Sequence, residues 1–522
     1  ANGVVIITTK KGRKDTKPQL NLNYYIGFTN PIKEKVLNAE QYKSALKDAA
    51  QRFLTAREDA GKPMTGSQVE QAQRIINDPA FFGNADTDWL DLVLRTGTSQ
   101  NVDVSVAGGG ANSRYYTSLS YTGQDGTLIG TDFMRISGKI SLDTDVSNYF
   151  RLYTNLNFGY TKNNITNGIY GQALTAPPTF SPYNEDGTYY QTTAQDYDHP
   201  IAIREHKKDK TKMLDVISSG AFEWQVIPQL RFTSQLNYKY GKSTNDQYLP
   251  QKYTQVGTEN RGRGVIGNTE NQNFVSETFA NYSQMFGKHE VGAMVGHSYE
   301  WYQYRDSYLT ANGFVNEALG NENMGAGEKA NNIISNGFSK SKLVSGMARL
   351  NYTYDNKYLL TATFRADGSS KFGKNNKWGY FPSGAISWKA HEEKFIKKLN
   401  TFDELKFRLS YGISGNQGIS PYQTLSRYGT TKYYHQGQWL TAIGPGYESG
   451  QSGQDGIWKI WSGIPNPDLK WETTAQWDFG IDMAFFNRRL RITLDVYNKE
   501  TSDLLRERNL PLSSGYDRMW VN

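Results

Sequence analysis

The chain has 522 residues, 37% hydrophobic and 13% aromatic, with 35 tyrosines and no cysteine. The missing cysteine excludes disulfides, thiolate metal sites and cysteine nucleophiles. The aromatic content excludes a disordered chain. A net charge of +7, spread without a basic block, leaves no nucleic-acid footprint.

The opening GVVIITTKK is a β-branched apolar run and predicts a buried strand. QLNLNYYIGF (19–28) alternates and predicts a second strand. A helical passage follows. Asn38 with Gln41 forms a capping box, and apolar residues recur at Tyr42, Leu46, Ala49, Phe53 and Leu54. Gly61 and Pro63 stop this helix. Ser67 with Glu70 is expected to cap a second helix ending near Asn77-Asp78-Pro79.

From Gln100 onward the pattern is strand and loop. RLYTNLNFGY (151–160), LRFTSQLNYKY (230–240), MARLNYTY (347–354), LLTATFR (359–365), KFRLSYGIS (406–414) and LRITLDVY (490–497) alternate with period two, and about fifteen such segments occur in all. The apolar faces of these six carry no Lys, Arg, Asp or Glu. A Lys or Arg on a lipid face costs ~2–4 kcal/mol at mid-bilayer. No window reaches the ~18 uninterrupted apolar residues of a transmembrane helix, but strands hide half their residues behind polar neighbours.

Connections alternate in length. Tight ones fall near 108–110, 147–148, 227–228, 287–288, 355–356 and 487–488, with a longer helix-like exception at 391–402. Long ones span 29–97, 162–212, 243–270, 310–338 and 415–470. An up-and-down meander puts tight turns on one side of the sheet and large loops on the other, as in outer-membrane barrels. The fold expected is all-β: a transmembrane antiparallel barrel with long extracellular loops and a short helical insertion. Its apolar faces would meet lipid. Its polar faces (Arg491, Asp495, Asn155, Asn157, Arg408) would line a wet lumen.

ANGVVIITTKKG (1–12) resembles the end of the plug domain in SusC/RagA-like TonB-dependent transporters. FRADGSSKFGKNNKWGYFPSGAISWKAHEEKFI (364–396) and NPDLKWETTAQWDFGIDMAFFNRRLRITLDVYNKETSDLL (466–505) resemble signatures of the same family. NADTDWLDLVLRTG (84–97) and the following VSVAGGGANSRYYTSLSY fit as well. The resemblance implies a plugged barrel of ~22 strands. Residues 1–14 would then be the plug end, and 15–522 an incomplete barrel within a longer protein. It further implies import of glycan or peptide oligomers across the outer membrane of Bacteroidota. The energy would come through TonB, contacted by a missing N-terminal part. A SusD-like surface lipoprotein would serve as lid, outer-membrane lipid or LPS would surround the wall, and transporter–lid pairs could dimerise. No enzyme activity and no cofactor are implied. The alternatives are a surface adhesion or structural barrel, and a TonB-dependent receptor for another cargo.

Tyr433, Tyr434, Trp439, Trp458 and Trp461, in the 415–470 loop, are the candidate contacts for substrate or lid, because flat aromatic faces stack on sugars and peptides and anchor protein interfaces. RGRGVIG carries Gly262, Gly264 and Gly267 as GxGxxG, but without the strand-before, helix-after context of a dinucleotide site it reads as a flexible loop. Asp86, Asp88 and Asp91 could ligate calcium, yet Asp86 or Thr87 as a helix cap explains them better. His289 and His297 bracket a strand without a carboxylate at metal spacing. DGSSKFG reads as a structured turn in which Gly368 and Gly373 supply conformational freedom.

Overall fold

The computed structural model describes residues 10–522 apart from 166–167, 191–197, 426–427, 446, 453–457, 462, 515 and 517. Most of the predicted opening strand therefore lies outside the described residues. The next strands are β1 (Thr16–Thr29), β2 (Gly97–Gly109), β3 (Ser113–Asp125), β4 (Thr131–Asp145), β5 (Phe150–Ile165), β6 (Lys208–Ile227) and β7 (Leu230–Leu249). They continue with β8 (Arg263–Phe286), β9 (His289–Asn312), β10 (Ile333–Tyr354), β11 (Tyr358–Ser369), β12 (Trp378–Lys389) and β13 (Glu404–Asn416). Two loop hairpins follow: β14 (Tyr428–His435) with β15 (Gln438–Pro445), and β16 (Tyr447–Ser452) with β17 (Trp458–Trp461). Then come β18 (Gly463–Ile464), β19 (Glu472–Phe485), β20 (Leu490–Ser502), β21 (Arg506–Asn509) and β22 (Arg518–Val521).

Strands β1–β13, β19 and β20 form one 15-stranded sheet in sequence order. Every neighbouring pair whose register is described is antiparallel, from β1 with β2 to β19 with β20. β1 and β20 are its two edges and do not pair with each other. The strand count and the meander agree with the sequence pattern.

Period two sorts the side chains. On one face Leu22 opposes Val104, Val104 opposes Leu119, Ile140 opposes Leu156 and Leu409 opposes Phe479. These residues are exposed: Leu22 at 68%, Leu119 at 55%, Ile140 at 53%. An apolar face this wide is far beyond the few hundred Å² that a soluble monomer leaves open. It is the surface of a protein whose solvent is hydrocarbon. The opposite face carries Ser118, Asn157, Arg365, Arg408 and Asp482.

The strands outrun the predicted ones. β8 and β9 have 24 residues each, while ~9–11 suffice to cross a bilayer. The loop expected at 243–270 is thus about half strand, whereas 310–338 gains strand only at its two ends and stays loop between Gly313 and Asn332. The strand residues flanking the first loop (KSTNDQ, GNTENQN) are polar on both faces, so no alternation marks them, and Tyr248 just beyond is buried against Ala311 and Phe314. Gly264 and Gly267 lie within β8, which corrects the flexible-loop reading. Gly262, at φ +83, makes the turn before it.

On the tight-turn side, Asp355 and Asn356 take left-handed backbone (φ +49 and +55) between β10 and β11, a conformation Asn and Asp tolerate. The Asp355 N–H donates to the Lys288 carbonyl at 2.8 Å, lacing neighbouring turns together. The Lys288 ammonium, 3.0 Å away, holds the Asp355 carboxyl below its ordinary range. The longer connection 390–403 contains the short helical turns Ala390–Glu392 and Lys394–Lys397.

On the long-loop side, helix α1 (Ala39–Asp59) begins at the predicted capping box of Asn38 and Gln41. Helix α2 (Ser67–Asn77) starts differently from expectation: Gly66 is its cap, with no side-chain bond. Among the described residues no helix is long and apolar enough to cross a membrane, which says nothing about strands.

Candidate functional site

The polar face and the loops above it are the parts able to meet a solute. On the wall, Arg408 (β13) grips Asp482 (β19) with Nε at 2.8 Å and Nη2 at 3.1 Å, and Nη2 reaches Asp495 (β20) at 2.9 Å. Gly480 sits beneath. A Cβ there would lie 2.5 Å from Asp495 Oδ1 and 2.6 Å from Arg408 Cζ, so glycine makes room for the contact. Arg365 bonds Asp367 at 2.8 Å and Ser345 Oγ at 2.9 Å. The sequence placed Arg408 and Asp495 on one polar face, and the structure joins them. Arg491, on the same strand as Asp495, does not take part.

Residues 10–15 cross the polar face near the tight turns. Lys11 and Arg114 both pair with the buried carboxylate of Asp143, at 3.2 and 2.8 Å. Lys14 pairs with Asp145, and Lys139 donates to the Lys10 carbonyl at 3.3 Å. Gly12 lies so close to the β2–β3 turn that a Cβ would meet the Tyr115 carbonyl oxygen at 2.2 Å. A buried carboxylate shared by two cations is strongly coupled to its partners, since removing one leaves charge uncompensated.

Above the wall, the two signature stretches pack on each other. Phe372, Phe381, Ile419, Leu469 and Trp471 form a buried cluster. The Trp471 ring lies 5.0 Å from Phe372 and 5.4 Å from Phe381, and its Nε1–H donates to the Lys377 carbonyl at 3.1 Å. Asn375 Nδ2 donates to Asp468 Oδ1 at 2.7 Å. Neither Gly368 nor Gly373 has positive φ. Their role is close approach, which corrects the expected turn freedom: a Cβ on Gly373 would meet the Pro467 carbonyl oxygen at 1.9 Å. The 415–470 loop is thus rooted at both ends.

From that root rise the two hairpins. Tyr433 pairs with Leu440 and Tyr434 with Trp439, beside a tight turn with Gln436 at φ +47 and Gly437 at φ +80. Trp461 pairs with Tyr447, and Trp458 with Ser452. The five candidate aromatics therefore divide between two separate ladders. Tyr434 is 62% exposed. The side chains of Tyr433, Trp439, Trp458 and Trp461 lie outside the described residues.

The loops after β1, β5 and β7 are also joined, which sequence reading missed. Trp89, Leu90 and Val93 of α3 (Trp89–Val93) pack with Ile169 and Ala173 of α4 (Ile169–Thr175) and Ile201 and Ile203 of α5 (Pro200–His206). His199 caps α5: its Nδ1 accepts from the Ala202 N–H at 3.1 Å, and its Nε2 lies 2.9 Å from the Pro182 carbonyl. The ring is therefore neutral with the proton on Nε2. Burial pushes its pKa below the ordinary value. Tyr189 touches the rings of His199, His206 and Tyr253 at 5.0, 5.8 and 5.2 Å. Tyr253 is held at φ +74, a strained conformation for a bulky residue. The one sequence sign of this aromatic cluster is the Tyr189-Tyr190 pair just after an Asp186-Gly187 turn.

The aspartate triplet is no cation site. Asp88 caps α3 by accepting from the Asp91 N–H at 3.1 Å, where Asp86 or Thr87 was expected. Asp86 instead accepts from the Ala39 N–H at 2.8 Å, and Thr87 donates to the Phe180 carbonyl. Lys33 Nζ lies 2.5 Å from Asp88 and 3.0 Å from Asp91, where a cation would sit. His289 bonds the Tyr352 hydroxyl at 2.7 Å. Among the described residues, no cluster of His, Asp and Glu is arranged to hold a metal.

An antiparallel wall, apolar outside and polar inside, with tight turns below and rooted loops above, defines an outer-membrane β-barrel protein. Residues 140–518 match the model of the TonB dependent receptor-like β-barrel family, and the chain belongs to that family. TonB-dependent receptor P3 of Formosa agariphila is 30% identical over 99% of this chain and 48% of its own length. TonB-dependent receptor SusC of Bacteroides thetaiotaomicron is 27% identical over 99% of this chain and 50% of its own. The chain thus spans about half the length of the curated relatives it matches. A solved structure of the RagAB peptide transporter superposes with a TM-score of 0.76 at 20% identity, covering 100% of this chain and 59% of that one, which shows the shared fold.

Proposed function

We propose that this chain forms most of the wall of a SusC/RagA-like TonB-dependent importer that takes nutrient oligomers, glycans or peptides, across the outer membrane. The observation that carries this is the continuous wall itself, with an exposed apolar face, a charged inner face and loops rooted on one side only. Residues 10–14 act as the end of a plug, fastened to the wall through Asp143 and Asp145. TonB pulls on the plug through a part of the protein preceding this chain. A SusD-like lipoprotein covers the loops. Tyr433, Tyr434, Trp439, Trp458 and Trp461 meet the substrate or that lid. The mechanism is gated passage: loops and lid capture the oligomer, polar wall groups replace its hydration, and plug movement releases it. No covalent bond is made or broken.

The test is growth of the native organism on candidate oligosaccharides and on peptides after deletion of the gene, with and without TonB. Loss of growth on one oligomer class in both deletions supports importer function. Unchanged growth on every oligomer class would sink it.

A further inference from the structure

Three lysines on the outer face stand in an arrangement that stability alone disfavours. Lys162 of β5 lies directly opposite Lys212 of β6. Lys212 pairs with Thr244 of β7, and Lys242, two residues earlier on that strand, pairs with Leu214. Lys242 is therefore diagonal to Lys212, within ~8 Å. Directly opposed like charges destabilise a sheet. Acidic neighbours only partly offset them. Asp246 reaches Lys212 at 3.8 Å, and Glu270 stands opposite Lys242 and also opposite Arg305. Among the described residues no ion pair engages Lys162 or Lys242.

Their height is informative. Phe150 stacks on Phe222 and Trp224 at 5.4 and 5.8 Å, forming an aromatic rim beside the tight turns. Lys162 follows Phe150 by twelve positions, and Lys212 precedes Trp224 by twelve. At a rise of ~3.4 Å per residue and a tilt of ~40°, this is about 31 Å of height, just past the ~25 Å apolar band. Tyr160 and Leu214, opposite each other immediately below, still belong to that band. Lys212 and Lys242 are exposed and Lys162 is half-buried.

We propose that Lys162, Lys212 and Lys242 form a binding site for the phosphate groups of an anionic glycolipid in the outer leaflet. The inference rests on the outer-membrane placement of the wall. It goes beyond import, because the site faces away from the lumen. Acyl chains would lie along Phe158, Tyr160 and Leu214, while the headgroup phosphates neutralise the opposed ammonium groups. A free soluble phosphate would lack the apolar half of this site.

The test uses the full-length transporter in detergent, titrated by native mass spectrometry with bis-phosphorylated lipid A, with the same lipid A after removal of both phosphates, and with inorganic phosphate. The expected preference for the phosphorylated lipid is on the order of 100-fold, from about fivefold per lysine near anionic headgroups. K162Q/K212Q/K242Q should abolish it, and K162R/K212R/K242R should retain it. Equal binding of the two lipids by the wild type would overturn the site, and that comparison stands even if the glutamine variant does not fold. Retention of the preference by a folded glutamine variant would also overturn it, as would full displacement by millimolar inorganic phosphate. Heat-modifiable gel mobility reports the folded barrel separately. A wild type lacking it would overturn the membrane reading and the site together, whereas a folded barrel blind to phosphate overturns the site alone.

Discussion

Arg408 and Asp495 meet at 2.9 Å across the space left by Gly480, two strands apart on the inner face of the wall. The glycine is what lets one guanidinium serve both Asp482 and Asp495. Gly480→Ala should push the two side chains apart. Both are partly exposed, so the loss should be modest, about 1 kcal/mol. Urea unfolding in lipid measures it. In an Asp495→Ala background the same substitution should cost less, because the contact is already gone. Strict additivity would contradict the arrangement.

The root of the 415–470 loop should behave as a small core of its own. Leu469 is fully buried, and Leu469→Ala should cost about 2–5 kcal/mol locally. Gly373→Ala should be at least as damaging, since its Cβ would strike backbone at Pro467. Limited proteolysis should show faster cleavage within 415–470 while the barrel keeps its heat-modifiable mobility. Cleavage at the wild-type rate would remove the proposed rooting.

His199 makes the loop assembly sensitive to acid. Its pKa is lowered in the folded state by burial, so the unfolded loop binds the proton more tightly. The stabilisation is therefore fully present above the unfolded value of ~6.5 and is lost as pH falls through the lower folded value. Protonation also removes the Nδ1 acceptor that caps α5. Hydrogen-exchange protection of residues 201–206, corrected for the pH dependence of intrinsic exchange, should fall between pH 7.5 and pH 5. His199→Asn, which keeps a cap without titrating, should flatten that dependence. An identical pH response in the variant would assign it elsewhere.

Tyr434 tests the aromatic hairpin without disturbing the wall. It stands exposed beside the β14–β15 turn. Tyr434→Ala should weaken oligomer or lid binding by more than about 1 kcal/mol if it is an anchor, and leave barrel unfolding unchanged. Isothermal titration with each ligand separates the two roles. Unchanged binding of both would exclude Tyr434 from the site.

The wall was legible in the sequence because each strand crosses a boundary between two solvents. LRITLDVY places Leu494 and Val496 on the lipid face and Asp495 on the wet one, and the register repeats this in neighbouring strands. The strand extensions were not legible, since KSTNDQ is polar on both faces and so has no period. The shared loop core was hidden for a different reason. Trp89, Ile169 and Ile201 come from two loops far apart in sequence, and none belongs to a long periodic run. Gly373 could be marked as special from its motif, but its reason, the approach of Pro467 from another loop, exists only in three dimensions.

The most direct measurement is mass spectrometry of the full-length protein purified gently from native outer membranes, covering co-purifying proteins and small bound ligands. Recovery from the outer-membrane fraction with a stoichiometric surface lipoprotein and a ladder of oligosaccharides or peptides is expected. Recovery in the soluble fraction, or a membrane barrel with neither lid nor oligomer, would contradict importer function.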